Sequence, residues 1–375
     1  MVKAREIEGL NCLDSAARGV VLVLRSRLDE MCQFRVAALD YSDTEGVHDM
    51  RVASRRLRSV MRDCKPYLRS KKLRRVRAYL KAVAGALGAV RDQDVAILAL
   101  EELKAEAPEE VVAGIEHLIA ERAAAREEAR ATLTEAISEG TLARLQGEFI
   151  YSLERATKAQ EHNEAEAEGA DGETVSTVEP AAPVPSFYRA GREIIAARLE
   201  ELQSLSASLY QPLETEPLHR MRIAAKRLRY AIELFTQCWG ETLLPFAKDV
   251  ASLQSHLGEV HDCDEWIDAL GERLGAGSVE SDEDRAETDG EIEKEKRRAV
   301  FWLLGHFTKV RTKHYCSALE RSAKWEEKSC AANLMAILER EPEPAVEQPQ
   351  PVEQRPAPPP ESEPDAIDAA VPTQV

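Results

Sequence analysis

The chain has 375 residues, enough to bury one large or two moderate cores, with 31% charged residues, 5% aromatics and a net charge of −17. Its N-terminus is not followed by an apolar core of signal-peptide type, and no run reaches the roughly eighteen apolar residues of a membrane span, so a soluble, cytoplasmic protein with no membrane partner is expected. The acidity argues at first sight against a polyanion partner, but its placement reverses that inference. Residues 158–186 carry seven acids against Lys158, residues 277–291 seven against Arg285, and residues 341–375 eight against Arg355, which leaves the rest of the chain at +2. Between Val47 and Arg77, twelve Arg or Lys residues face only Asp49 and Asp63.

Alanine, leucine, arginine and glutamate dominate, and no alternating strand pattern of useful length occurs, which predicts an all-α fold. The periodicity gives a first helix over residues 10–39 and a second over 46–64, ended by Pro66. A long third helix covers about 70–104, a fourth opens at Pro108 and runs to about 137, and a further helical stretch covers 141–157. Long helices with short connections suggest an antiparallel bundle. Residues 158–186, rich in Glu, Ala, Gly, Thr and Pro without periodicity, are expected to be a linker. The pattern then restarts over residues 187–340, interrupted by an acidic loop at about 275–290. A Pro- and Glu-rich tail, expected to be disordered, fills 341–375.

The restart is a repeat. Val47-His48-Asp49-Met50-Arg51-Val52-Ala53-Ser54-Arg55-Arg56-Leu57-Arg58 returns as Leu218-His219-Arg220-Met221-Arg222-Ile223-Ala224-Ala225-Lys226-Arg227-Leu228-Arg229. Leu87-Gly88-Ala89-Val90-Arg91-Asp92-Gln93-Asp94 returns as Leu257-Gly258-Glu259-Val260-His261-Asp262-Cys263-Asp264. The near-constant offset predicts two copies of one bundle in a pseudo-two-fold arrangement. On the second helix Met50, Ser54, Leu57 and Met61 form an apolar stripe, while His48, Arg51, Arg55, Arg58 and Arg62 form a cationic one about 100° further round. The repeat keeps both, with Met221, Ala225, Leu228 and Ile232 beside His219, Arg222, Lys226 and Arg229. A solvated face normally mixes charge signs at i,i+4. A uniformly positive one, twice, points to a multiply negative ligand.

Each histidine falls in or near a first helical turn, where free backbone N–H groups and the helix dipole already favour an anion. On the third helix, Lys71, Lys72, Arg74, Arg75, Arg77 and Lys81 add charge, and Arg74, Arg77 and Lys81 share a face, so that two adjacent helices could form a groove. The second half offers little beyond Lys248 there, and unequal binding by the two halves is expected. Asp92 and Asp94, like Asp262 and Asp264, point to different sides of a helix and are poorly placed to chelate one ion. Asp92 and Asp262 are instead expected to pair with signature arginines. The dipeptides His48-Asp49 and His261-Asp262 suggest metal-dependent phosphohydrolases, but their repeat partners His219-Arg220 and Arg91-Asp92 do not retain them. With no nucleophile and base pair, no phosphate-cradling Gly loop and no zinc spacing, neither an enzyme nor a bound metal or cofactor is expected. Seven scattered cysteines without a C-x-x-C pair are expected to be thiols in a reducing compartment.

The paired, duplicated motif resembles the CHAD family, the conserved histidine α-helical domain, over roughly residues 10–320. The resemblance implies two four-helix bundles about a pseudo-dyad, a cleft or pore lined by basic residues, binding of inorganic polyphosphate and recruitment to polyphosphate granules. Carried onto matching positions, the family's histidines are His48 and His219, and its basic positions Arg51, Arg55, Arg58, Arg222, Lys226 and Arg229. Family members are often fused to a triphosphate tunnel domain, which is not expected within these 375 residues, and the resemblance therefore implies no hydrolase activity by association. The alternatives are an RNA or DNA backbone-binding protein, disfavoured because only Tyr67 and Tyr79 lie near the groove, and, less favoured, a metal-dependent phosphohydrolase.

Overall fold

A computed structural model describes residues 7–68, 73–168, 184–276 and 287–340. Among them the chain is helical and contains no strand, only an isolated bridge between Ser15 and Ser186. The helices are α1 (Ala16–Gln33), α2 (Arg35–Leu39), α3 (Glu45–Asp63), α4 (Arg74–Glu106), α5 (Glu109–Ala136), α6 (Glu139–Glu168), α7 (Phe187–Ser204), α8 (Thr215–Trp239), α9 (Leu244–Ala276), α10 (Glu287–Glu327) and α11 (Cys330–Leu338). Lys71 and Lys72, most of the acidic loop, the later part of the linker and the tail lie outside the described residues.

Two predicted boundaries shift. The helix expected over 10–39 begins only at Ala16, because Asn11, Asp14 and Ser15 supply turn chemistry: Leu13 N–H donates to Asn11 Oδ1 at 3.0 Å, and Ser15 Oγ caps α1 by accepting from Arg18 N–H. It breaks at Phe34 into the short α2. In the other direction α6 runs on to Glu168, past the expected linker boundary at 158, through a stretch rich in Glu and Ala, both strong helix formers.

The bridge ties the starts of α1 and α7 together. Ala16 N–H donates to Pro185 O, Phe187 N–H to Asp14 O and Tyr188 N–H to Cys12 O, each at 2.8 Å, and Ser186 caps α7 as Ser15 caps α1. Tyr188 stacks on Trp239 at 4.1 Å between ring centroids, which carries Cys12 to the end of α8, where it forms a disulfide with Cys238. The expectation of seven free thiols is therefore corrected. A bond between cysteines 226 positions apart leaves no spacing pattern to read.

The apolar stripes define the core. Met50, Ser54, Leu57 and Met61 are buried, as are Met221, Ala225, Leu228 and Ile232. Helices α1, α3, α4 and α5 pack in succession, and α7, α8, α9 and α10 do the same. Yet the halves do not each close a separate core. One apolar cluster runs through Val20, Leu24, Leu57 and Leu87 of the first half and Ile195, Leu228, Phe235 and Leu257 of the second. A second joins Leu100, Ile115 and Leu118 to Leu270, Val300 and Leu303. At this second seam α5 approaches α10 over Gly114, where an added Cβ would lie 2.2 Å from the Glu295 carbonyl oxygen. Gly114→Val must part these helices and is expected to lower stability by about 1–3 kcal/mol, read as a drop in Tm.

An ion-pair arrangement also repeats between the halves, buried at Glu30 and only half-buried at Glu201. Glu30 holds Arg27 at 2.8 Å and Arg56 at 3.2 Å, and 171 positions on, Glu201 holds Arg198 at 2.6 Å and Arg227. Asp63, at the end of α3, crosses to Arg198 of α7 at 2.7 Å. Ser54, by contrast, is fully buried with no hydrogen-bond partner for its hydroxyl, and the repeat has Ala225 there. Ser54→Ala is expected to raise unfolding free energy by about 1 kcal/mol, measured by denaturant titration, because it removes an unmet buried polar group.

Candidate anion-binding site

Burying the apolar stripes of α3 and α8 turns their cationic stripes toward one another. Lys226 of α8 lies among Arg222 and Arg229 of its own helix and Arg51 and Arg55 of α3. Burial and then these four guanidiniums push its ammonium down to about 7. Arg55 is similarly disfavoured in its charged form, first by burial and then by Arg51 and Arg229, with the Tyr230 hydroxyl as its hydrogen-bond partner. Both groups sit among like charges, which is costly in the empty protein and favourable once an anion arrives.

Two carboxylates frame this cluster. Asp92 of α4 lies 3.4 Å from Arg51, and Asp262 of α9 lies 3.7 Å from Arg222. Burial raises both carboxyls, each arginine lowers its partner, Asp262 raises Asp92, and Arg51 also acts on Asp262, so the two ion pairs stand side by side. They hold Arg51 and Arg222 in place. Asp94 and Asp264 serve elsewhere: both are buried, and they tie α4 to Arg126 of α5 and α9 to Arg311 of α10.

The histidines have partners that the repeat concealed. His219 Nδ1 lies 3.1 Å from His261 Nδ1, with ring centroids 4.1 Å apart. In the first half the position matching His261 is Arg91, and His48 lies near it; burial and then Arg91 lower the His48 imidazole. Reading the repeat for what its copies share missed this pair, since one copy places arginine where the other has histidine. The sequence shows that the copies differ at this position, Arg91 against His261, but not that the His261 ring meets His219.

The remaining expected residues separate into two groups. Arg58, Arg62, Arg77 and Lys81 line a recess of about 360 Å³ between α3 and α4, joined by Lys65. Arg62 is held by Asp63 at 3.0 Å and Arg77 donates to the Met61 carbonyl at 3.4 Å, while Lys81 is exposed and Arg58 is disfavoured as a cation by burial, then by Arg62 and Arg55. Arg74, at the exposed start of α4, is not among the lining residues. Arg229 departs from the expectation of an open contact. Only 6% exposed, it pairs with Glu233 at 3.4 Å and lies over the Tyr230 ring, so it contributes field to the cluster rather than a free donor. The Tyr67 hydroxyl donates to Glu193 at 3.0 Å.

Among the described residues no group of three or more His, Cys, Asp or Glu side chains is arranged to hold a metal ion, and no helix is long and apolar enough to cross a membrane. What the arrangement offers is a row of fixed cations from two facing helices and a second recess beside it, able to engage several negative groups at once.

Comparison with solved structures finds the same fold in the CHAD domain of the plant Ricinus communis, at 20% identity and a TM-score of 0.58 over 84% of this chain and 96% of that one. PptA from Streptomyces chartreusis is similar at 15% identity and a TM-score of 0.53, over 83% of this chain and all of that one. No curated protein matches. The family model described as the CHAD domain matches residues 22–271, two thirds of the chain and both copies of the signature, and the protein belongs to the CHAD family.

Proposed function

We propose that the protein binds inorganic polyphosphate along the facing cationic stripes of α3 and α8 and holds it without cleaving it. The observation that carries this reading is the surroundings of Lys226: four guanidiniums from two helices, with Asp92, Asp262 and Glu233 engaged by Arg51, Arg222 and Arg229. A polyphosphate chain carries about one charge per unit and no bases, so rigidly spaced cations can meet successive phosphates, with affinity driven by counterion release as for nucleic-acid backbones. Aromatic platforms for bases are lacking in the cluster. Tyr230 is buried under Arg229, and Tyr67 is tied to Glu193. Binding of this kind would retain the protein on polyphosphate granules.

The test is a titration of long-chain polyphosphate against a single-stranded RNA of matched charge at several salt concentrations, with orthophosphate monitored. Tighter binding of polyphosphate with no release is expected. Equal or better binding of RNA overturns the partner, and metal-dependent release overturns the passive role.

A further inference from the structure

The cations of the groove repel one another, and Lys226 and His261 can relieve the repulsion by giving up a proton. Lys226 faces Arg222 and Arg229 on α8 and Arg51 and Arg55 on α3; Asp92 of α4 and Asp262 of α9 are occupied by Arg51 and Arg222, and Glu233 by Arg229. Two helical turns earlier, His219 meets His261 of α9 nitrogen to nitrogen at 3.1 Å. At that distance one Nδ1 must donate and the other accept, so the pair cannot keep its contact with both rings charged. Arg222, Asp262 and Glu265 face His261, the last at 3.3 Å from its Nε2. His48, in the other half, faces Arg91, Glu45, Asp49 and Arg55.

We propose that the groove admits its polyanion together with protons, taken up by Lys226 and by the His219–His261 pair as the phosphates arrive. The proposal rests on the polyphosphate reading and adds a regulation of the same site. In the empty protein Lys226 is held at about 7 by burial and the four arginines, and His261 lies below the ordinary histidine range because of burial, Arg222 and His219. An adjacent phosphate chain offsets the repulsion and raises both groups. A group whose bound value exceeds its free value takes up a proton in the interval between them. Affinity is therefore highest below the free value and falls above it, by up to about tenfold per pH unit for each proton. For Lys226 that interval opens near pH 7 and extends upward toward the ordinary lysine range; for His261 it lies lower.

The experiment is a titration of long-chain polyphosphate, whose internal phosphates do not titrate near neutrality, from about pH 6 to about pH 9 at fixed ionic strength. The wild type, Lys226→Arg and His261→Asn are compared. Binding heats in two buffers of different ionisation enthalpy count the protons directly. Wild-type affinity is expected to fall by close to tenfold per pH unit above about pH 7, with a buffer-dependent heat. Lys226→Arg, which keeps the charge and removes the titration, should lose that fall, and His261→Asn should keep it while losing part of the dependence below about pH 7. Equal slopes in the wild type and Lys226→Arg, or heats independent of buffer, overturn the proposal while leaving polyphosphate binding intact. Failure to bind at any pH overturns both.

Discussion

Replacing Arg51, Arg55 and Lys226 together by glutamine is expected to weaken polyphosphate binding by on the order of 100-fold at low salt and to flatten the dependence of log affinity on log salt by about 0.9 for each phosphate no longer neutralised. The same variant should be no less stable than the wild type. Arg51 and Arg55 are four residues apart on α3, as are Arg222 and Lys226 on α8, and like charges at that spacing repel by about 0.2–0.5 kcal/mol per pair. Weaker binding with a constant or higher Tm separates a binding site from a structural one. An unchanged affinity would place the polyanion elsewhere, the recess of Arg58, Arg77 and Lys81 being the next place to look. Glutamine at Arg229 should act differently, costing stability, because its guanidinium is buried against Glu233 and Tyr230.

The largest stability effect is expected at Glu30. Its side chain is 5% exposed and holds Arg27, itself 6% exposed, and Arg56. Glu30→Gln removes the carboxylate shared by two ion pairs of low exposure, leaving Arg27 and Arg56 to their remaining contacts and the field of Glu233, and should cost about 3 kcal/mol of unfolding free energy, measured by denaturant titration. The repeat provides the control. Glu201 makes the corresponding contacts with Arg198 and Arg227, but its side chain is 27% exposed and Arg198 keeps Asp63 at 2.7 Å, so water and that second carboxylate offset the loss and Glu201→Gln should cost distinctly less. Burial opposes ionisation of Glu201, yet hydrogen bonds from Arg198 and the charge of Arg227 outweigh it and hold the carboxyl below the ordinary glutamate range. Its contribution is therefore complete above that range and is lost as pH falls through the depressed value, which predicts loosening of the α7–α8 contact in acid. Equal costs at Glu30 and Glu201 would contradict the burial argument.

Much of this arrangement is legible in the sequence because it depends on periodicity. Met50, Leu57 and Met61 recur at helical spacing, and burying them leaves His48, Arg51 and Arg55 on the adjoining face; the offset of 171 positions then carries the same pattern to α8. The pairing of Arg51 with Asp92 could be anticipated because a like-charged stripe requires a counter-charge nearby. Periodicity does not report contacts between distant helices. Arg27 and Glu30 carry the residue types of a solvated surface and are buried, with Arg56 half-buried beside them, because α1 and α3 face each other and α8 lies against them. His261 becomes the neighbour of His219 through the packing of α8 on α9, and the Arg229 guanidinium is engaged by the nearby Glu233 and Tyr230. The bond from Cys12 to Cys238 follows from the bridge at Ser15 and Ser186, which pattern alone could not place.

The shared apolar clusters have a consequence for assembly. Because Leu57 and Leu228, and again Ile115 and Val300, belong to common cores, neither half can cover its apolar surface alone. Made as separate chains, residues 1–168 and 184–340 should pool as poorly soluble species singly and recover the fold when mixed, with a Tm that rises with protein concentration. In the intact protein the covalent connection replaces that bimolecular step by an effective concentration fixed by the chain, which makes the meeting of α3 and α8 independent of dilution.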